Sequence, residues 1–435
     1  MALTPDFAAN RQRVLDQLAE DEAILLFSGP HYLRNGDAEY RYRQRSDIYW
    51  LTGWVQPEMA LFLRPGEAPL TLFVQPKDRA REVWTGVRPG PEGAKSDFGA
   101  DTAFTIDELS KELPRLLHGV STLHYSFADD PEHDRVLLGA ISTAARSARK
   151  NGLAVPETFH APTKLLHEMR LLKTPSEIEV MRVAAELTAQ AHIAAMQLAA
   201  PGVNEYEVEA LIDYTFRKGG GSGPGYTSIV AGGNNANILH YIENDQPLQD
   251  GDLILIDAGC EYGLYTADVT RTFPVNGRFT EPQRRVYDWV LKSQYAAIDE
   301  ARAGRPYSAM HDAAVRVLTE AMVELGLLEG EVDELIADES YKKYYMHGTG
   351  HWLGLDVHDV GIYGREGGSR PLQPGMVVTV EPGLYIPADD EDAPAELRGI
   401  GIRIEDDILV TDGEPDNLTA RIPKTIEEVE AACAS

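Results

Sequence analysis

The sequence predicts an α+β protein of two domains, an N-terminal α/β domain over residues 1–165 and a mixed helix–strand domain over 166–435 made of two related halves. Three observations carry this. The 435 residues amount to roughly three times the common domain size. Up to about Ala161 short apolar runs alternate with turn residues, and beyond it long, capped helical patterns begin. Within the C-terminal domain a single strand pattern occurs twice.

In the first domain AILLF, MALFL and LTLFV read as strands and DELSKELPRLLHGV as a helix. The stretch Tyr40–Trp54 (YRYRQRSDIYWLTGW) reads as a solvated, aromatic-edged strand, with an interaction surface as the alternative, and Trp84 in EVWTG is open to both readings. At Thr174-Pro-Ser-Glu177 an N-cap, a proline at the first helical position and a glutamate at N3 open a long helix that Pro201-Gly202 stops. A second helix runs from about Glu205 to Gly219. Thr280 and Gln283 cap a third, ending at Gly304, and a fourth spans about Ser308 to Leu325.

Between these helices PLQDGDLILIDAGCEY, from Pro247, matches PLQPGMVVTVEPGLYI, from Pro371, so that Asp257 and Glu381 each lie ten residues after the starting proline. A charged residue ending an apolar strand run points to the core side and needs a strong partner. Either acid alone reads as a strand end turning into solvent; their repetition favours a shared site. Each half adds an acid on a later strand, Asp268 in LYTADVTRTFPV and Glu405 in GIGIRIEDDILV, and a histidine upstream of PLQ, His240 and His358. In MHGTGHWLGLDVHDVG, His347, His351 and His358 sit among glycines too dense for a stable helix. One histidine is more often a satisfied core residue than a ligand; three within twelve positions favour a metal or acid–base site.

Composition narrows the partners. Forty basic against 69 acidic residues give a formal charge of -29, which opposes nucleic acid and anionic lipid. No apolar run approaches the roughly 20 residues of a membrane helix, and the N-terminus shows no secretory pattern, so a cytoplasmic protein is expected. Cys260 and Cys433 are too few and too far apart for a disulfide framework or thiolate site. A metal must therefore use oxygen and imidazole. Asp257, Asp268, Glu381 and Glu405 in one cavity could not all stay ionised without cations, and such carboxylates can bridge two ions, for which manganese fits best among manganese, cobalt, zinc and iron. A water between two such ions becomes hydroxide at neutral pH beside a polarised carbonyl, which is hydrolytic chemistry.

The pattern HGTGHWLGLDVHDVG with VEPGLY and GIRIEDD resembles the pita-bread metallopeptidases and, within them, the aminopeptidase P group, whose N-terminal domain YRYRQRSDIYWLTGW also resembles. The resemblance implies a catalytic domain with internal pseudo-two-fold symmetry, two manganese ions, and removal of an N-terminal residue from peptides with proline in second position. It implies that Asp257 binds one ion, that Asp268 and Glu405 bridge, and that His351 and Glu381 complete the other. Glu381 would also accept a proton from the water, His240 and His358 would contact substrate, and His347 and Arg403 would stand on the substrate side. The group assembles as homo-oligomers, here a dimer or tetramer, in which an N-terminal domain helps close a neighbour's site; the resemblance places that contribution at Trp84.

The nearest alternative is prolidase, a dipeptidase with the same ligands, which would clamp the free carboxylate after proline. A non-catalytic pita-bread peptide-binding module and a metal-free creatinase-like hydrolase are further alternatives, and a complete ligand set speaks against both. Cys260 reads as a small buried filler and Arg403 as a neutralising charge two residues from Glu405 on its strand face.

Overall fold

An apolar run without alternation is the mark of a strand covered on both faces, and LTLFV is fully buried over Leu70–Val74 in the computed structural model, which describes residues 3–434. The chain divides into two compact units, the first Pro5–Met169 and the second residues 3–4 with 170–434.

The first unit is a six-stranded mixed sheet. Its central strand, Glu22–Phe27, is antiparallel to Ala60–Leu63 and parallel to Thr122–His124. Leu109, Leu113, Leu137 and Ala144 from two helices join Leu25, Phe62 and Phe73 of the sheet in one core. The segment Tyr40–Trp54 departs from its sequence reading: Ser46–Thr52 is a helix, closed by Gly53 at φ 71°, and Trp50 and Trp54 are buried. Asn10 and Arg11 of helix Phe7–Leu15 donate to Trp50 O and Leu51 O, so a neighbouring helix satisfies carbonyls at its C-terminal end. Tyr49, Trp50 and Trp54 are core while Tyr40 is exposed, and alternation read as a strand edge was the wrong period over the helix. Trp84 lies on helix Arg79–Thr85, none of whose residues is buried.

In the second unit the capped helices form as read: Pro175–Leu198 and Glu281–Glu300 both carry the reciprocal capping box, followed by Glu205–Lys218 and Ser308–Glu324. They enclose two long hairpins of the same build. In the first, Leu253–Asp257 pairs with Thr270–Pro274, Asp257 facing Thr270, and Cys260–Tyr262 continues in the same register against Tyr265–Thr266. In the second, Val377–Val380 pairs with Asp406–Leu409, and Gly383–Ile386 with Ile400–Arg403, again in one register. Carried through the interruption, these registers set Glu381 opposite Glu405, Gly383 opposite Arg403 and Gly259 opposite Asp268. The two later acids are therefore not counterparts: Thr270 corresponds to Glu405, and Arg403 to Asp268.

Each hairpin also has a flanking strand. Ile229–Gly232 lies beside Leu253–Asp257. The histidine stretch takes the matching place in the other half, with Glu381 N donating to Thr349 O, Thr379 N to His351 O and Leu353 N to Val377 O. A Cβ at Gly350 would stand 1.9 Å from Thr379 O, which is why this extended stretch needs glycine between its histidines. Gly348, by contrast, has open space beside it.

The loop carrying His358 is fixed by buried charge. Asp359 accepts from Arg170 at 2.6 Å and from Lys173 at 2.9 Å, all three groups being almost fully buried. Burial alone would raise the Asp359 carboxyl, but Lys173 and Arg170 hold it below the usual range. Its stabilisation is therefore present above the unfolded carboxylate value near ~4 and is lost as pH falls through the lower folded value. Asp359→Asn leaves the Lys173 ammonium buried without its counter-ion and should cost about 3–5 kcal/mol in denaturant unfolding at pH 7. A cost below ~1 kcal/mol would show the trio to be dispensable.

Candidate metal centre

Asp257 and Glu381 stand where each hairpin's ladder is interrupted, and both side chains reach one cavity. Asp257, Asp268, Glu381, Glu405, His240, His347, His351, His358 and Arg403 all line one cavity of about 520 Å³, so every residue named from the sequence is present in it. Their placements differ. Ligand atoms of Asp268, His351 and Glu405 lie within 4.8 Å of one another, and Glu381 Oε1 stands 3.8 Å from His351 Nε2. Asp257 is held to one side: Tyr226 donates to its Oδ1 at 2.6 Å and Arg403 Nη2 to its Oδ2 at 2.7 Å.

The electrostatics follow from crowding. Burial, with the neighbouring acids, raises the Asp268 and Glu405 carboxyls. Burial, together with Asp268 and Asp257 and against His351 and Arg403, pushes Glu381 up to about 7. Burial would lower His351, but its hydrogen bond to Asp268 and that charge push it up to about 9. Burial, with Arg403 nearby, lowers His347 to about 4, and burial beside His351 lowers His358.

Hydrogen-bond partners fix the tautomers. His347 Nδ1 faces Gly348 O at 2.7 Å and must donate, so Nε2 accepts from Tyr385 OH at 2.8 Å, and Tyr385 in turn accepts from Arg403 Nη1 at 3.0 Å. The chain Arg403, Tyr385, His347 thus runs in one direction with a neutral imidazole at its end. His351 Nδ1 likewise faces the Trp352 carbonyl, at 3.1 Å, and its Nε2 points at Asp268 Oδ2, 3.2 Å away. Without a cation Nε2 keeps a proton for Asp268, and a cation standing between the two would replace that proton and take the nitrogen's lone pair. A convergence of one such nitrogen and three buried carboxylates, each pushed toward protonation, is the donor set a divalent ion satisfies.

Residues behind the cavity hold it in register. Arg271, fully buried, donates from Nη1 to Thr270 O at 2.9 Å and Glu405 O at 2.5 Å, from Nη2 to Asp406 Oδ1 at 2.7 Å and Ile422 O, and from Nε to Pro423 O. Lys424 Nζ reaches Asp406 Oδ2 at 2.6 Å. Asp407 accepts from the Asp268 amide at 3.2 Å. Sequence reading missed Tyr226, Tyr385, Arg271 and Asp407. Tyr385 shares the pleat face of Gly383, opposite Arg403, a relation that only the strand pairing reveals; Tyr226, after GGGSGPG, carried no periodic signal. Cys260 is buried, its thiol pushed up to about 12 by burial, as a filler should be.

Comparison with known proteins points the same way. A family model described as metallopeptidase family M24 matches residues 179–412, and one for the aminopeptidase P N-terminal domain matches residues 7–124. The chain is 44% identical over 429 residues to the Xaa-Pro aminopeptidase of Escherichia coli (strain K12), spanning 98% of this chain and 97% of that protein. In structure it is similar to Pseudomonas aeruginosa aminopeptidase PepP, with a TM-score of 0.96 at 48% identity over 100% of this chain and 99% of that one. It is also similar to Zn-substituted E. coli aminopeptidase P in complex with product, with a TM-score of 0.94 at 43% identity over 99% and 98% of the two chains.

With His351 raised to about 9 and Glu381 to about 7, protein stripped of metal carries protons that a cation must expel. Calorimetric titration with a divalent ion at pH 7, in buffers of different ionisation enthalpy, should show roughly one to two protons released per centre filled. Binding without proton release would place the cation elsewhere.

Proposed function

The chain belongs to metallopeptidase family M24, and from that membership we propose a metal-dependent aminopeptidase that cleaves the bond between an N-terminal residue and a proline in second position. An aminopeptidase-type N-terminal domain over 1–165 would precede the catalytic domain over 166–435. The observation that carries the reading is the cavity in which four carboxylates, four histidines and one arginine meet, in a chain that aligns end to end with an Xaa-Pro aminopeptidase.

Asp257, Asp268, His351, Glu381 and Glu405 would hold two divalent ions, and an oxygen-rich donor set with one imidazole favours manganese. Bound ions would supply Lewis acidity and an ionised water at neutral pH. The chain's own groups do the rest. Glu381, lining the cavity beside His351 and Asp268, is placed to accept and return a proton as a bound water reacts. The proline nitrogen, like any amide nitrogen, leaves as an amine only when a proton is delivered to it. His358, kept neutral by burial, and His240 line the cavity as donors toward charge developing on the substrate carbonyl. Arg403 steadies Asp257 and, through Tyr385, orients His347. Ile229, Leu239, Ile242 and Val357 give the cavity an apolar wall suited to a pyrrolidine ring.

The same lining disfavours a dipeptidase. Among the described residues Arg403 is the one arginine of the lining and lysine is absent from it, while the three nitrogens of Arg403 are engaged by Thr270, Tyr385 and Asp257. With no lysine and no second arginine in that lining, it lacks the paired cations that would clamp a free carboxylate after proline.

Two finer features belong to this proposal. Among the described residues no helix is long and apolar enough to cross a membrane, in keeping with a cytoplasmic enzyme. Trp84 is 87% exposed beside exposed Val83 and Val87, an apolar patch suited to a second copy of the chain and hence to a homo-oligomer, dimer or tetramer.

Hydrolysis of an Xaa-Pro-Xaa tripeptide should require added manganese after chelation, and Asp268→Asn should abolish it while leaving the melting curve of the stripped protein unchanged. Cleavage confined to Xaa-Pro dipeptides would instead mark a prolidase. Trp84→Ala should slow longer peptides selectively and lower the mass seen by light scattering; an unchanged length profile and mass sink the oligomer reading.

A further inference from the structure

The register of the two hairpins places Thr270 where the other half has Glu405. A β-branched residue in a strand is ordinarily packing material. Here the side chain is fully buried among charged groups and its hydroxyl is used twice. Arg403 Nε donates to Thr270 Oγ1 at 3.0 Å, and a guanidinium nitrogen cannot accept, so the single hydroxyl proton is committed to Glu405 Oε2, 2.7 Å away. Among the described residues Thr270 is the side chain that donates to the Glu405 carboxylate. The backbone reinforces the pairing, with Glu405 N donating to Thr270 O at 3.0 Å.

We propose that Thr270 is a positioning residue of the metal centre: its hydroxyl fixes the orientation of the Glu405 carboxylate toward the cavity and links it to Arg403. The inference rests on the proposed two-ion reading and adds a residue to it. It also accounts for the broken symmetry. An acid at 270 would repel Glu405 across the paired strands. A hydroxyl there can be polarised by Arg403 on one side and donate to Glu405 on the other. The counterpart exchange, Arg403 in the place of Asp268, supplies the cation that polarises it.

The test is metal affinity. Thr270→Val keeps the shape and removes the hydroxyl, and Thr270→Ser keeps the hydroxyl. With metal-stripped proteins titrated calorimetrically with Mn2+, Thr270→Val should bind about 10–100-fold more weakly while its stripped form melts like the parent, and Thr270→Ser should recover most of the loss. If Thr270→Val does not fold, Thr270→Ala serves, with the same expected loss. Parent-like affinity and stoichiometry in the valine or alanine variant overturn the inference and leave the two-ion reading standing. A parent protein that binds no Mn2+ overturns both.

Discussion

Four carboxylates brought out of water into one cavity repel one another and lose hydration together, and much of the second unit can be understood as the frame that tolerates this. The hairpins are rigid where they must be. Asp257 and Glu381 stand at the points where pairing is interrupted, and the strands before and after them share one register, so that the interruption opens a cavity without letting the strands slide. The compensation is graded by distance. Arg403 touches Asp257 directly, Arg271 ties the backbone carbonyls of Thr270 and Glu405 together, and Asp406 is paired to Arg271 and Lys424 one layer behind. These cations lower the cost of the acids without entering the donor set.

What the sequence made legible was periodic or repeated. The capping boxes at Thr174 and Thr280 name their helices because the cap geometry is local. The repeat from Pro247 and Pro371 brings out Asp257 and Glu381 because equal offsets along equal strands lead to equivalent places. Asp268 and Glu405 were found as acids, but their relation was not. A hairpin turn of different length in each half changes which residue returns opposite which, and register is set by backbone pairing that one strand's pattern does not carry. Tyr226 and Tyr385 were illegible for a related reason, since each acts through a hydroxyl whose partner is supplied by a distant stretch of chain.

Tyr40–Trp54 shows the opposite failure. Aromatic residues interleaved with arginine and serine look like an edge strand, yet helix Ser46–Thr52 buries nearly every side chain because neighbours close over it and Asn10 and Arg11 take carbonyls at its end. Burial on all sides removes the polar face on which pattern reading depends.

Arg271 and Asp406 bind the centre to the C-terminal stretch of the chain, through Ile422 O, Pro423 O and the Lys424 ammonium. During synthesis the hairpins emerge from the ribosome before those three residues do, so for that interval a buried arginine and a buried aspartate lack some of their hydrogen bonding. Assembly of the centre is thus a late event in the life of the nascent chain. In a peptidase of this build the working geometry waits on residues 422–424, far along the chain from the acids Asp257 and Asp268 that they support.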